Sequence, residues 1–571
     1  MVAIRFPRAS ALFGALLACA LARAVFAGGE PLRDAPIVWE MDDRRDAPRP
    51  AERDPNLLHD GIDESFIYPL GRFFNPSRLV RKVGTIFGGD HAMAASNLNA
   101  LDEVPNSSWF TNRIGLQPVT PEDAARGPVQ GDGPDRSAPW TVVRAKTQGV
   151  TPGFNIRDAR GQTYLIKFDP PCCPGMSSAS GVISGRLLHT AGYNVPEDFV
   201  VTFRPEDLVL GDKVRITDPD GTKRQMTVED LDRILASVAP GSDGSRRAIA
   251  SKFLSGTPVG PFNWRGRRKD DPLDPVRHEN RRELRGLHVI AAWLDHFDMK
   301  QLNTLDMHVE DAGRHYVRHY LIDFASTLGA GAGGPFPLAN YEYTFDALAI
   351  SGRALSLGFH QSPWERIERP KGLNEIGYLE SKEFEPSKWK PLNPNAAFAN
   401  LTDRDGYWGA KIVSAFTDEQ LEAAVAEGKY RNPEAARYVV RLLGERRDKI
   451  ARHWFDRVAP LDFFAVDGET VRFHDLGEER GIYPGTTPRY RARVAAVGAD
   501  RGGAEWSGWS DLSKPAVDLS AAVAVEPIRS TSEAKHPFLA VQTQVNRGAG
   551  WSPSVTVYIS RASGRVVALS R

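Results

Sequence analysis

The chain has 571 residues, of which 25% are charged, with Lys+Arg and Asp+Glu equal at 72 each and a formal net charge of zero. That length exceeds one ordinary domain and predicts two to four. The balanced charge argues against a nucleic-acid binder, which needs an excess of basic surface.

Residues 1–27 read as a targeting segment. Arg5 and Arg8 form a basic start, residues 9–21 are apolar, and Val25-Phe26-Ala27 offers small residues for cleavage before Gly28. Leu16-Leu17-Ala18-Cys19 also resembles a bacterial lipoprotein box, which would place a lipid anchor on Cys19. Both readings export the protein, to the periplasm or outside the cell, with ordinary secretion preferred. No other run approaches the roughly 20 apolar residues of a membrane span. Cys172 and Cys173 then remain; a bridge between neighbours strains the intervening peptide, so a loop with two free thiols is expected.

Residues 28–139 form an N-terminal extension and linker. Pro, Asp and Arg crowd residues 30–56, an extended or disordered leader. Residues 65–87 carry enough apolar side chains to pack on a neighbour, and Ser107-Ser108-Trp109-Phe110 is expected to pack at the surface. Residues 115–139 are Pro/Gly-rich and read as linker.

From Trp140 the pattern changes to strands at 141–147, 153–157 and 162–169, the last two joined by the turn Asp158-Ala159-Arg160-Gly161. The first connection carries Gly149 and Gly153, and glycine lets backbone N–H groups approach anionic oxygens. An ordinary hairpin loop is the alternative. Tyr164-Leu165-Ile166-Lys167-Phe168 sets one cation in an apolar strand, on a solvent face or in a site. A helix over 177–191 ends at Gly192, and no Asp or Glu occurs between Asp169 and Glu197. A strand at 197–203, a hairpin at 212–227, a helix at 228–235 and a strand at 249–254 follow. Residues 265–280, dense in Arg and Asp, read as a solvated loop.

Leu284, Leu287, Ala291 and Leu294 then mark one face of a helix. It leads into His296-Phe297-Asp298-Met299-Lys300-Gln301-Leu302-Asn303, two strands at 304–309 and 316–322, and Asp323-Phe324-Ala325. An Asp on a loop can orient an attacking hydroxyl, and a Lys two residues on can neutralise a moving phosphoryl group. An Asn and a later Asp can hold a hard cation between phosphate oxygens. The run resembles the H-R-D-x-K-x-x-N and D-F-G motifs of protein kinases, with Phe297 for Arg and Ala325 for Gly. It looks most like the atypical group that includes HipA, CotH and secreted kinases.

The resemblance implies a two-lobed α+β domain over about 140–459. Asp298 and Lys300 would be catalytic, and Asn303 and Asp323 would hold Mg²⁺ or Mn²⁺. Lys167, Gly149 and Gly153 would bind ATP or another nucleoside triphosphate. Asp295 is a second candidate base. The acceptor is a protein, a sugar or a small molecule, and nucleotidyl transfer fits the same groups. Kinases pair the strand lysine with a helix glutamate that this chain lacks. Lys167 then acts alone, takes a carboxylate from elsewhere, or belongs to an inactive kinase-like binding protein.

The run Ser326–Gly334 predicts a flexible segment, and no A-P-E motif follows it. Thr417 and Gln420 make a capping box, and a helix from Asn432-Pro433 to Trp454 carries Ala436, Val439, Leu443 and Ile450. Residues 460–571 are β-rich. There Tyr490, Ala492 and Val494 alternate with three arginines, and Trp506-Ser507-Gly508-Trp509-Ser510 resembles the W-S-x-W-S run of fibronectin type III modules. That resemblance implies a small β-sandwich accessory domain with tryptophans stacked on strand arginines.

Overall fold

The computed structural model describes residues 30–54, 93–146, 153–217, 222–337, 341–356, 359, 361–502, 505–520, 528 and 532–571. The targeting segment with Cys19, residues 65–87 and Gly149 lie outside these. The fold is α+β with mostly antiparallel sheets. It divides into two compact units, one of residues 39–98 and 104–455, the other of 1–38, 99–103 and 456–571. No helix among the described residues is long and apolar enough to cross a membrane.

The larger unit opens on a six-stranded sheet. Its strands are β1 (Trp140–Ala145), β2 (Gly153–Arg157), β3 (Thr163–Phe168), β4 (Asp198–Phe203), β5 (Leu208–Leu210) and a later β8 (Arg246–Lys252), in the order β4-β8-β3-β2-β1-β5. A short hairpin, β6 (Arg215–Thr217) with β7 (Lys223–Gln225), forms a separate two-stranded sheet whose Ile216 packs on the same core. Alternation sorts the two faces: Tyr164, Ile166 and Phe168 join Phe154, Ile156 and Phe203 in one apolar core. Leu165 and Lys167 therefore point to the opposite face.

That opposite face meets α2 (Met176–Ala191), where Val182 packs with Val200 and Ile249. Asp169 sets the start of this helix, accepting from the backbone N–H groups of Gly175 and Ser178 at 2.9 and 2.7 Å. Gly192 ends it with φ 122°. The linker before the sheet is partly helical: α1 (Pro121–Arg126) starts with a capping box of Thr120 and Asp123 and packs on α2. A helix α3 (Val228–Ala236) closes the same apolar core with Leu231 and Leu235.

The rest of this unit is helical around a small sheet, in which β10 (Thr304–Asp311) lies between β9 (Thr257–Gly260) and β11 (Arg314–Leu321). β9 escaped the sequence reading because Pro258 interrupts its pattern; as an edge strand it tolerates the missing N–H. Between β9 and β10 runs α4 (Arg282–Leu294). Its Gly286 admits Trp408 of α5 (Asp403–Val413) so closely that a Cβ there would sit 2.5 Å from the indole. α6 (Asp418–Ala426) begins at the Thr417–Gln420 capping box, and α7 (Pro433–Phe455) buries Val439, Leu443 and Ile450.

Three expectations need correction, and one pair of alternatives is decided. The segment 265–280 is not a solvated loop: Asp271, Asp274 and His278 are buried, with Asp274 bonded to His278 and Arg281 at 2.8 and 3.1 Å. Trp109 is interior, stacked on His319 at 3.5 Å under the Arg281 guanidinium at 4.5 Å. Of the two readings of the leader, extended or disordered, residues 30–54 take the first: they run without helix or strand but are ordered, their backbone bonding to strands far along the chain, Ala47 to His315 and Arg53 to Val259. The glycine-rich segment after Asp323 folds back as a two-rung hairpin, β12 (Ala330–Gly331) with β13 (Gly334–Pro335), with Leu328 and Ala330 buried.

The smaller unit holds two sheets that share one apolar core. One has β14 (Leu461–Asp467), β15 (Thr470–Asp475) and β18 (Ala516–Asp518) in the order β14-β15-β18. The other runs β17-β16-β19-β20-β21, made of β16 (Arg489–Val497), β17 (Ser510–Leu512), β19 (Phe538–Asn546), β20 (Val555–Ser560) and β21 (Val566–Ser570). Tyr490, Ala492 and Val494 face the core while Arg491 and Arg493 interleave with tryptophans on the other face. Arg493 lies 4.8 and 4.7 Å from Trp506 and Trp509, and Arg491 lies 4.3 and 4.2 Å from Trp509 and Trp551. Residues 30–38 and 99–103 belong to this unit: Leu32 donates to Ala499, and Leu569 donates to Ala100.

Candidate functional site

The loop from His296 to Asn303 is fixed at its start by a helix end. The last carbonyls of α4 would be orphaned, but the buried Arg446 of α7 donates to Ala292 O at 2.5 Å and to Trp293 O at 3.0 Å. Asp295 then turns the chain with φ 51°. Its buried carboxylate takes the Trp389 indole N–H at 3.0 Å, which commits it to the interior rather than to chemistry.

Beyond that turn the loop presents polar groups. Lys300 Nζ lies 2.9 Å from Asp298 Oδ2, and both side chains are partly open to solvent. Asn303 is buried and spends its amide nitrogen on the Asp298 carbonyl at 2.8 Å, which leaves its amide oxygen as an acceptor. The Asn303 carbonyl in turn accepts from Ile322 N at 3.0 Å, tying the loop to the end of β11.

Asp323 follows directly, with φ 63°, a backbone state that Asp tolerates better than most residues. Its Oδ1 receives Lys167 Nζ at 2.7 Å, a contact across 156 positions of sequence. Protein surrounds the carboxylate, yet 45% of its side chain stays open to water, as on the floor of a cleft. Burial pushes this carboxyl up, but Lys167, with Lys300 and Lys146 behind it, overrides burial and holds it at about 2. Burial likewise works against the Lys167 ammonium, and Asp323, Asp198 and Asp298 outweigh it and raise its pKa.

Gly153 stands opposite Lys167 in the β2–β3 ladder, and a Cβ there would run into the Ile166 carbonyl. The stem of Lys146 crosses the same spot, its Cδ 3.3 Å from that position. Sequence reading missed Lys146. Burial, then Lys167, bring its ammonium down to about 8 while Asp323 opposes them, so it belongs to the same charge cluster. Among the described residues no group of three or more His, Cys, Asp or Glu could hold a metal ion. The oxygens that could serve a cation are those of the Asp323 carboxylate and the Asn303 side-chain amide. Two hard oxygens suit an ion of the magnesium type, which takes its other ligands from phosphate and water.

His296 and Phe324 join the two halves of the site. Their rings meet edge to face at 5.7 Å, both buried. Phe324 also packs against α2, where a Cβ on Gly185 would lie 3.5 Å from its ring, and Thr327 bonds Ser184 at 2.7 Å. The residues of α2 that meet Phe324 and Thr327 are Gly185, Ser180 and Ser184, none of them acidic. Asp198, the first residue of β4, is buried close to Gly185 and lies in the fields of Lys167 and Arg186. The signal for it was weak, one Asp beginning an apolar strand.

Cys172 and Cys173, expected as free thiols, are bridged to each other just before α2. A separate cavity of about 810 Å³, lined by residues including Arg113, Gln117, Arg126 and His189, opens beside α1 and contains none of the loop residues. No protein-family model, curated protein or solved structure matches this chain.

Proposed function

We propose that the larger unit is a kinase-like phosphotransferase that uses a metal–nucleotide complex, with its nucleotide end at Lys167 and its acceptor end at Asp298. One observation carries this reading: the Lys167–Asp323 contact joins the third strand to the residue that follows the Asp298–Lys300–Asn303 loop and its hairpin. Two further features support it. The order β1-β2-β3-β8-β4, with α2 inserted between β3 and β4, is what a kinase N-lobe requires, and α4, loop, hairpin and Asp323 follow as in a C-lobe.

In this reading Asp298 accepts the proton of the acceptor hydroxyl, and Lys300 beside it steadies that carboxylate and the moving charge. Lys167 and Lys146 face the phosphates as fixed positive charges. Asn303 and Asp323 would hold the cation, which supplies charge neutralisation between phosphate oxygens when bound. A binding-only protein is the second reading, favoured by one observation: Lys167 rests on the carboxylate that a cation would use.

Full-length protein incubated with Mn²⁺ and γ-labelled ATP tests both. The enzyme reading expects metal-dependent ATP binding and label transfer to the protein itself or to added acceptors. Asp298→Asn should bind ATP as the wild type does and lose roughly 10²–10⁴ in transfer rate. Binding without transfer in the wild type would favour the binding protein, and the absence of binding would end both.

A further inference from the structure

Lys167 has one observed partner, and the sheet offers it a second. Asp198 lies opposite Ser251 across β4 and β8, and Ser251 lies opposite Leu165 across β8 and β3. Residues directly opposite share a face, and Lys167 is two positions beyond Leu165, so Asp198 and Lys167 project from the same face, under α2. Gly185 keeps that space open, with Asp198 Oδ2 3.8 Å from where its Cβ would stand. Asp198 is 3% exposed, and its Oδ1 has no hydrogen-bond partner among the described residues. A buried acceptor left unsatisfied is costly and calls for an explanation.

We infer that Asp198 is a positioning residue, the second seat to which Lys167 passes when a metal ion takes the Asp323 carboxylate. The inference rests on the metal–nucleotide reading of the site and adds the step that clears Asp323 for the cation. Lys167 cannot keep its 2.7 Å bond to Asp323 Oδ1 and leave that oxygen to a cation. A buried ammonium released without a partner would be left unsatisfied in the interior, which is costly. Asp198 supplies the nearby anion, as the helix acid does in other kinases. The charged groups around Lys167 are Asp323, Asp298 and Lys146, with Arg186 beside Asp198. Burial pushes the Asp198 carboxyl up to about 6, against Ser251, Lys167 and Arg186, which leaves it mostly ionised at neutral pH.

A double-mutant cycle on Mn²⁺·ATP affinity in the full-length protein tests the hand-over. Asp198→Asn keeps the shape and removes the charge; it should weaken Mn²⁺·ATP binding about tenfold, and Asp198→Glu should restore most of the loss. In a Lys167→Met background, where nothing need move, Asp198→Asn should leave the affinity within about twofold. Thermal unfolding of each variant separates a loss of fold from a loss of binding, and Asp198→Ser carries the same expectation should the amide not fold. An equal loss in both backgrounds would mean that Asp198 acts on the cation through its charge alone, and no loss in either would mean that it is structural. Either result overturns the hand-over while leaving the metal–nucleotide reading standing. Failure of the wild type to bind Mn²⁺·ATP overturns both.

Discussion

Asp323 combines a left-handed backbone, a charge-assisted bond from Lys167, 156 positions earlier in the chain, and access to water. The conformation costs on the order of 1 kcal/mol or more and persists because Ile322 is bonded to Asn303 and Phe324 is buried beside His296. On the proposed function, Asp323→Ala should abolish the metal dependence of ATP binding; equal Mn²⁺·ATP affinity in wild type and variant, measured by calorimetry, would refute the assignment. Lys146 makes a milder test. On the proposed function, Lys146→Met should raise the KM for ATP several-fold and change kcat less, because its charge, in the same cluster as Lys167, would meet phosphate in both ground and transition states. A drop in kcat at unchanged KM would move Lys146 into the reaction itself.

The packing of α2 on Phe324 is the element on which the site depends. A Cβ at Gly185 would meet the ring at 3.5 Å, ordinary contact, whereas one at Gly181 would press on Ile249 Cδ1 at 2.7 Å. Gly185→Ala should hold or raise the melting temperature, since a helix interior favours Ala over Gly by about 1 kcal/mol. Gly185→Leu should lower stability by about 1–3 kcal/mol through overpacking and weaken ATP binding by displacing Phe324. Equal melting temperatures for the two variants would show that the ring does not touch this face. The elements themselves were legible because their periodicity is local: the strands holding Lys167, the helix before His296 and the hairpin to Asp323 all lie where the apolar spacing puts them. Asp198, Lys146 and the buried cluster around Asp274 were not. Each owes its role to partners dozens of residues away, which composition and spacing do not encode. The same limit explains why the Pro-rich leader read as extended or disordered although strand carbonyls pin it.

At the scale of the whole molecule, acid stability follows from histidines buried without charge. Burial holds His288 and His296 at about 4, and burial with Arg113 and Arg186 holds His189 at about 3. An unfolded chain protonates histidine near pH 6.5. Between about pH 6.5 and 4 the unfolded state therefore binds protons that the folded state refuses, and stability falls on acidification by up to about 1.4 kcal/mol per pH unit per group. Asp198 acts in the opposite sense. With its carboxyl at about 6, the folded state holds a proton that the unfolded chain has released, so that group gains stability as pH falls from about 6 to 4. Asp271, whose carboxyl burial also pushes up, acts in the same sense as Asp198; the three imidazoles outweigh the two carboxyls and leave a net loss, and Asp323, held at about 2, adds its own loss only below about pH 4. The urea midpoint of the unit that contains these residues should thus be lower at pH 5 than at pH 7. His288→Asn, in a ring pocket formed with Trp389 and Phe398, should remove roughly half of the drop. Equal midpoints at the two pH values would mean that these imidazoles reach water and titrate as they do in the unfolded chain.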